Sequence, residues 1–164
     1  MTSMAEGDDA ASRDSADERW MRVALAAALE AAADGEVPVG AVAVLGPDGR
    51  QLAVDRNRRE SLADPTAHAE MLVITEAAAA VGSWRLEGVT VYVTLEPCAM
   101  CAGALVLGRV DRLVYGAPDP KAGACGSVLD VLGCEGLNHR VEVTGGVLPD
   151  ECGSVLSEFF AALR

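Results

Sequence analysis

The chain has 164 residues, of which 51% are hydrophobic and 4% aromatic, so it is long enough for one compact domain with a core of small aliphatic side chains. Charges interrupt every hydrophobic stretch before the roughly 18–20 apolar residues of a membrane span, and five cysteines without an export signal argue against a disulfide framework, so we expect a soluble, cytoplasmic protein with no membrane association. The net charge of −12 is unfavourable for binding nucleic acid, which makes the placement of charge more important than its total.

The acidity is concentrated at the N-terminus. Residues 1–18 contain six acidic side chains against Arg13 alone, a charge of −5 that leaves −7 for the remainder. This composition predicts a disordered acidic tail over residues 1–16 and a single domain over residues 17–164. From Asp17 to about Ala33, apolar residues recur at helical spacing behind an acidic first turn, which predicts the first helix.

Strand and helix signals alternate in the next part of the chain. Residues 38–57 contain two β-rich runs around the turn signal GPDG, which predict a β-hairpin. Residues 66–82 are rich in helix formers and predict a helix that ends at Gly82. The β-branched run VTVYVTLEP, residues 89–97, is too apolar for an exposed strand and predicts a central one. Residues 98–108 predict a helix that begins directly after it.

The last third of the chain predicts two more strands and two more helices. Residues 112–117 and 140–147 have strand composition, and residues 127–133 predict a short helix after a loop rich in Gly and Pro. A final helix begins at Pro149 and has apolar residues at helical spacing. Strands interleaved with helices indicate an α/β protein with a three-layer α/β/α architecture.

Two cysteines and a histidine have the spacing of a metal site. Cys98 and Cys101 are three residues apart at the start of a predicted helix, so both thiols can lie on one face and bind one ion. With His68 they make three protein ligands, the number typical of a catalytic zinc that keeps one position open for water. The only other histidine is His139. A C-x-x-C motif alone would equally predict a redox pair or two buried thiols, but a redox motif does not require a separate H-x-E at another helix start.

His68 and Glu70 are two residues apart and so do not share a face of a regular helix. We therefore expect His68 at the helix edge, binding the metal, with Glu70 facing the water that the metal activates. A bound zinc lowers the pKa of water, and a carboxylate that is not a ligand can move protons to the substrate and the leaving group. Considered singly, the histidine could be a hydrogen-bonded core residue and the glutamate a solvated first-turn acid.

The combination of H-x-E at residues 68–70 with P-C-x-x-C at residues 97–101 resembles the signature of zinc nucleoside and nucleobase deaminases, members of the cytidine deaminase superfamily. Within that superfamily the chain is similar to the bacterial tRNA adenosine deaminases. The similarity extends over nearly all of the chain beyond Trp20 and includes the segments EVPVGAV, DPTAHAE, YVTLEPCAMCAGA, GSVLDVL and NHRVEV.

The resemblance implies a cytidine-deaminase-like fold with a five-stranded mixed sheet, a homodimer, and one zinc ion per subunit held by His68, Cys98 and Cys101, with Glu70 as the proton shuttle. It implies that the substrate is the wobble adenosine in the anticodon stem-loop of an arginine tRNA, converted to inosine so that one tRNA decodes several codons. Further residues match positions near the bound RNA in this family: Asn57 at the flipped nucleoside, Asp119 and Lys121 in a loop that approaches the anticodon, and Asn138, Phe159 and Phe160 around the RNA loop.

Each outlying residue also has a purely structural interpretation. Asn57 could form a turn, Asp119 could cap a loop, and the two phenylalanines could pack the last helix. Some features depart from the family pattern: the chain stops at Arg164 without a basic tail, Pro118 and Pro120 stiffen the loop around Asp119, and Cys125 replaces a small apolar residue. These departures bear on RNA affinity and not on the chemistry.

Three alternative functions remain at this point. A deaminase of a free nucleobase or nucleoside, such as guanine or cytosine, shares the metal motif and fits the acidic charge. A non-catalytic RNA-binding partner subunit would be expected to lack the shuttle carboxylate, which is present at Glu70. A thiol redox protein predicts a reversible disulfide between Cys98 and Cys101 and no bound metal.

Overall fold

The computed structural model describes residues 3–164, which form four helices and five strands. The helices are α1 (Ser3–Ala33), α2 (Ala69–Val81), α3 (Ala99–Leu107) and α4 (Pro149–Ala162), and the strands are β1 (Gly40–Leu45), β2 (Arg50–Arg56), β3 (Val89–Leu95), β4 (Arg112–Ala117) and β5 (Glu142–Thr144).

The strands form one mixed sheet in the order β2-β1-β3-β4-β5. The predicted hairpin is β1 with β2, and β1 also pairs antiparallel to β3. Strands β3, β4 and β5 are parallel. The apolar run VTVYVTL forms β3, which pairs with β1 on one side and β4 on the other and is the central strand of the sheet, as predicted. The α/β class and the five-stranded mixed sheet are therefore confirmed.

Alternation along the strands builds a core on each side of the sheet. Ala41, Ala43, Val91 and Val93 pack with α2 and α3 in one cluster of buried residues. The residues between them, represented by Val42, face the opposite side and pack with α1 and α4. The predicted three-layer α/β/α architecture follows from this alternation.

Close approach of α1 to the sheet requires glycine at the start of β1. A Cβ at Gly40 would collide with the carbonyl oxygen of Ala24 and lie 2.6 Å from the backbone nitrogen of Ala28. The small residues of α1 are buried at the same contact, since Ala24 and Ala28 are both fully inaccessible to solvent. The abundance of alanine in this chain thus serves tight packing of helix on sheet.

The prediction of a short helix over residues 127–133 is wrong. This segment is a series of turns whose hydrogen bonds reach back to earlier residues. The amides of Val128 and Leu129 both donate to the carbonyl of Gly123, and Ser127 Oγ donates to Glu96 Oε1. Such contacts satisfy backbone groups that a helix would have paired internally.

The predicted disorder over residues 1–16 also differs from the structure, in which residues 3–16 form the first half of α1. Residues 1 and 2 lie outside the described part. The side chains of residues 9–15 are exposed, so packing does not hold this half of the helix in place. It extends the buried second half, because each residue added to an existing helix gains one backbone hydrogen bond. A salt bridge of 2.6 Å between Arg13 and Glu142 adds a contact to the sheet. The division into a tail over residues 1–16 and a domain over residues 17–164 stays a prediction.

Within residues 3–164, no helix combines the length and the apolar composition that crossing a bilayer requires.

Candidate active site

The candidate site lies where the central strand ends and two helices begin. His68 is the N-cap of α2 and Cys98 is the N-cap of α3, and both have extended backbone conformations. The carbonyls of these two caps accept hydrogen bonds from Leu72 and Ala102, which start the helices. Helix N-termini favour negative charge, so the two helices direct their positive ends toward the same point.

The structure brings the three predicted metal ligands together. His68 Nδ1 lies 3.7 Å from Cys98 Sγ and 3.6 Å from Cys101 Sγ. The three ligand atoms all lie within 4.8 Å of one another, and Cys101 is fully buried. A histidine nitrogen and two sulfurs at these separations could hold one metal ion.

The contacts within this cluster shift the pKa of each member. The hydrogen bond with Cys101, followed by that with His68, lowers the pKa of Cys98 to about 3. The same contact with Cys98, together with burial, raises the pKa of Cys101. The hydrogen bond with Cys98 also raises the pKa of His68. The lowered pKa of Cys98 favours its thiolate, which is the form of cysteine that binds metals.

Glu70 lies in the first turn of α2 and is only 4% exposed. Burial raises the pKa of its carboxyl group, because the charged form loses hydration. Residues two apart within a regular helix would not share a face. His68 is the N-cap of α2 and Glu70 lies in its first turn, and both side chains line the same cavity. The predicted position of His68 at the helix edge is confirmed by its extended backbone.

A cavity of about 140 Å³ opens beside the cluster. Its walls include the predicted residues Asn57, His68, Glu70, Cys98 and Asp119, which come from separate parts of the chain. Its further lining residues were not predicted individually and are Val37, Val39, Arg59, Ala69, Leu95, Glu96 and Ala122.

The remaining predicted RNA contacts lie elsewhere. Lys121 and Phe160 line a separate groove with the end of α4. Phe159 and Phe160 form an edge-to-face pair with ring centroids 5.5 Å apart, and Phe160 is 45% exposed. Asn138 is exposed in the loop before β5. Their contacts with RNA stay predictions.

Part of the Asn57 side-chain amide has no hydrogen-bond partner among residues 3–164. The side chain is 5% exposed, its Nδ2 donates to the carbonyl of Val37 at 3.2 Å, and its Oδ1 accepts from the amide of Arg59 at 3.2 Å. An asparagine amide has two N–H groups and two acceptor positions. One donor and one acceptor of Asn57 are thus used to fix its orientation at the cavity wall.

Arg56, Arg58 and Arg59 form a basic cluster in the sequence, which indicates either a local basic patch or a solvated turn, but the three side chains separate in the structure. Arg56 bonds to Asp34 at 2.9 Å and to Glu30 at 3.3 Å, and Arg58 pairs with Asp55 at 2.8 Å. Arg59 is exposed and lines the cavity. The sequence signal for a basic patch therefore narrows to a single arginine at the cavity rim.

A three-layer α/β/α fold with a histidine and two cysteines at adjacent helix N-termini, next to a buried glutamate, is the arrangement of deaminases with the cytidine-deaminase-like fold. A family model described as MafB19-like deaminase matches residues 15–164. The tRNA-specific adenosine deaminase of Bacillus subtilis is 53% identical over 148 residues, which cover 90% of this chain and 91% of that protein. The enzyme of the same name from Haemophilus influenzae is 46% identical over 158 residues, covering 96% of this chain and 90% of its own.

Solved structures agree with these relatives. One, from biochemical and structural studies of A-to-I editing by tRNA deaminases at the wobble position of transfer RNA, has a TM-score of 0.80 and 45% identity over 84% of this chain and 99% of its own. The guanine deaminase from Nitrosomonas europaea has a TM-score of 0.78 at 26% identity and covers 88% of this chain and 84% of its own. The chain belongs to this deaminase family, and within it to the branch whose curated members are named tRNA-specific adenosine deaminases. The resemblance predicted from the sequence is confirmed.

Proposed function

We propose that this chain catalyses the hydrolytic deamination of adenosine to inosine at the wobble position of tRNA. The observation that carries the proposal is a buried carboxylate, Glu70, on the wall of a cavity beside a His–Cys–Cys cluster, in a chain 53% identical to the B. subtilis tRNA-specific adenosine deaminase. The finer proposal is that the substrate is the anticodon stem-loop of an arginine tRNA. Such a loop is single-stranded, so extruding its adenosine into the cavity costs little unstacking energy.

The donor set fits zinc. Zinc bonds of about 2.3 Å to sulfur and 2.0–2.1 Å to nitrogen at tetrahedral angles place the nitrogen about 3.5–3.6 Å from each sulfur. The separations of 3.7 and 3.6 Å between His68 Nδ1 and the two sulfurs support this. We propose that His68, Cys98 and Cys101 hold one zinc ion per subunit, which when bound would supply Lewis acidity and lower the pKa of a water molecule.

Glu70 moves the protons of the reaction. Its carboxylate accepts a proton from the attacking water and delivers it to ring nitrogen N1, while the water oxygen forms its bond to C6. Glu70 then transfers the second water proton to the amino group, the C6–N bond breaks, and ammonia leaves, so that adenosine and water give inosine and ammonia. A raised pKa makes the carboxylate a stronger base for this task.

The walls of the cavity orient the base and its backbone. Asn57 presents its free N–H and lone pair to the purine, held in place by Val37 and the amide of Arg59. We propose that the Arg59 guanidinium at the rim binds a phosphate next to the flipped nucleotide. Asp119 is the proposed contact on the loop after β4, and Lys121, Asn138, Phe159 and Phe160 are proposed contacts of the RNA outside the cavity.

The decisive experiment uses metal-loaded protein with an arginine anticodon stem-loop RNA and, in parallel, free adenosine, guanine and cytosine. Inosine in the RNA is the expected product. Ammonia from a free base with the RNA unchanged would overturn the tRNA assignment in favour of a nucleobase deaminase, the activity named for the N. europaea structural neighbour.

Variants of one helix test the role of Glu70. Glu70→Gln is expected to lower kcat by about 10²–10⁴ while the metal content remains that of the wild type. Glu76→Gln is the matched control, because Glu76 is exposed on the same helix, α2, and should leave kcat within about twofold. Wild-type turnover by the Glu70→Gln protein would refute the assignment.

We further propose that the protein is a cytoplasmic homodimer. Five free cysteines fit a reducing compartment. Large apolar side chains are exposed at the end of α3 and in the loop after β4, where Leu107 is 71%, Val128 54% and Leu129 53% exposed. Such residues are typical of a protein interface. Light scattering should give twice the mass of the 16.9 kDa chain, and Leu129→Glu should shift it toward the monomer.

A further inference from the structure

Glu96 is a buried acid in the lining of the cavity that the proposed chemistry does not use. It follows β3 directly, two residues before Cys98, and is 2% exposed. Its backbone amide donates to the carbonyl of Ala117 at 2.9 Å, which continues the pairing of β3 with β4. A carboxylate so placed loses its hydration and requires hydrogen-bond donors within the protein.

The carboxylate of Glu96 accepts a hydrogen bond from the segment after β4. Ser127 Oγ donates to Glu96 Oε1 at 2.7 Å. Glu96 Oε2 is buried and accepts no hydrogen bond from any residue of the described range 3–164. A Cβ at Gly123 would collide with this Oε2, so the carboxylate lies directly against the backbone of Gly123.

Residues 118–129, here called the cavity-wall loop, are folded onto themselves and onto Glu96. Asp119 Oδ1 accepts from the amides of Lys121 and Ala122, and the carbonyl of Asp119 accepts from the amide of Gly123. The amide of Ala124 then donates to the carbonyl of Pro97 at 2.8 Å, next to Glu96. Two residues of this loop, Asp119 and Ala122, line the cavity.

We infer that Glu96 is a positioning residue that fixes the cavity-wall loop through Ser127, and so sets where Asp119 and Ala122 meet the substrate. A hydrogen bond from a hydroxyl to a buried carboxylate is strong because the acceptor is charged and poorly hydrated. The contact of Oε2 with Gly123 leaves no room for a side chain there, which keeps the loop at van der Waals distance from the carboxylate. Where this inference concerns RNA binding, it rests on the proposed function.

The test replaces the donor, which is exposed and lies outside the cavity lining. Ser127→Ala should raise KM for the anticodon stem-loop about tenfold, the size expected for one charge-assisted hydrogen bond, with kcat within about twofold. Ser127→Thr keeps the hydroxyl and should restore the wild-type KM. Ser83→Ala is the matched control, since within residues 3–164 the hydroxyl of this serine bonds only to the nearby amide of Arg85, and its loss should change neither KM nor kcat.

Hydrogen exchange supplies a readout that is independent of activity. In Ser127→Ala and Glu96→Gln, the amides of Gly123, Val128 and Leu129 should exchange about tenfold faster, because their hydrogen bonds open with the loop. Metal content should equal that of the wild type in both variants.

Any of three results would overturn the inference. The first is unchanged hydrogen exchange in the cavity-wall loop of Ser127→Ala, and the second is an unchanged KM in Ser127→Ala when the wild-type protein is active. The third is a variant that loses its metal and shows no change in KM. If the wild-type protein forms no inosine in the RNA, the proposed function fails, and the exchange rates alone decide the role of Glu96.

Discussion

Replacing Asp17 with alanine is expected to destabilise the fold by about 3–5 kcal/mol, the usual cost of breaking a buried ion pair from one side. Asp17 accepts two hydrogen bonds from Arg112, each 2.7 Å long, and a third from the hydroxyl of Tyr92 at 3.1 Å. The side chains of Asp17 and Arg112 are only 3% and 10% exposed. This pair joins α1 to the start of β4.

The structure places the cost near the lower end of that range. Without Asp17, the Arg112 guanidinium keeps a hydrogen bond of 2.9 Å to Thr144 Oγ1 and a long contact of 3.9 Å to Glu142. The side chain of Glu142 is 56% exposed, so solvent screens its charge, and its contact with Arg112 stabilises the fold of the variant by less than about 1 kcal/mol. We therefore expect a loss of about 3 kcal/mol.

Urea denaturation at pH 7 measures the loss, with Arg13→Ala as the control. Arg13 also joins α1 to the sheet, but its bridge to Glu142 is 50% and 56% exposed, so its removal should cost at most about 0.5 kcal/mol. A free energy of unfolding for Asp17→Ala within 1 kcal/mol of the wild type would refute the reasoning, because a buried guanidinium would then be tolerated without its partner.

Other predictions concern packing, pH and RNA binding. Gly40→Ala should cost more than about 3 kcal/mol in urea denaturation, because the new methyl group meets the carbonyl of Ala24. The Glu76 side chain is largely exposed, but partial burial of its carboxyl group, followed by the nearby Asp55, raises its pKa from 4.5 to about 7, so the folded state holds a proton that the unfolded chain loses first. Stability should thus fall as pH rises from about 4.5 to about 7, and Glu76→Gln should remove this decline, about 1 kcal/mol after screening by solvent. Arg59→Ala should raise KM for RNA and lower the salt slope of binding by about one.

The sheet and most helices could be predicted because their signals are local. VTVYVTL has the composition of a central strand, Gly82 adopts a left-handed conformation with φ of 72° at the end of α2, and Pro149 occupies the first turn of α4. The turns of residues 127–133 could not be predicted, since their hydrogen bonds come from Glu96 and from the preceding loop. The spacing of apolar residues within a short segment does not indicate hydrogen-bond partners that are distant in the sequence.

The centre of the site could be predicted because it is encoded by two short motifs at helix starts. His68, Glu70, Cys98 and Cys101 meet as expected, while the predicted contact residue Phe160 lies in a separate groove. Arg59 had a signal, the basic cluster, but only the structure shows that its neighbours are paired with acids. Glu96 had none, because its burial and its contact with Ser127 depend on the arrangement of the cavity-wall loop.

The position of the acidic side chains explains how a chain with a net charge of −12 can accommodate an RNA substrate. The described acidic side chains of residues 1–18, which are Asp9, Asp14, Asp17 and Glu18, lie on the first half of α1, whose Arg13 bonds to Glu142 at the start of β5. Because β3, β4 and β5 are parallel, that end of the sheet is opposite the end where β3 reaches the cavity. The seven residues of β3 span roughly 23 Å, more than twice the Debye length of about 8 Å at physiological salt. Repulsion from the acidic half of α1 is therefore screened at the cavity, and the local field is set by near charges, which are Arg59 at its rim and the acids Glu70, Glu96 and Asp119 in its lining.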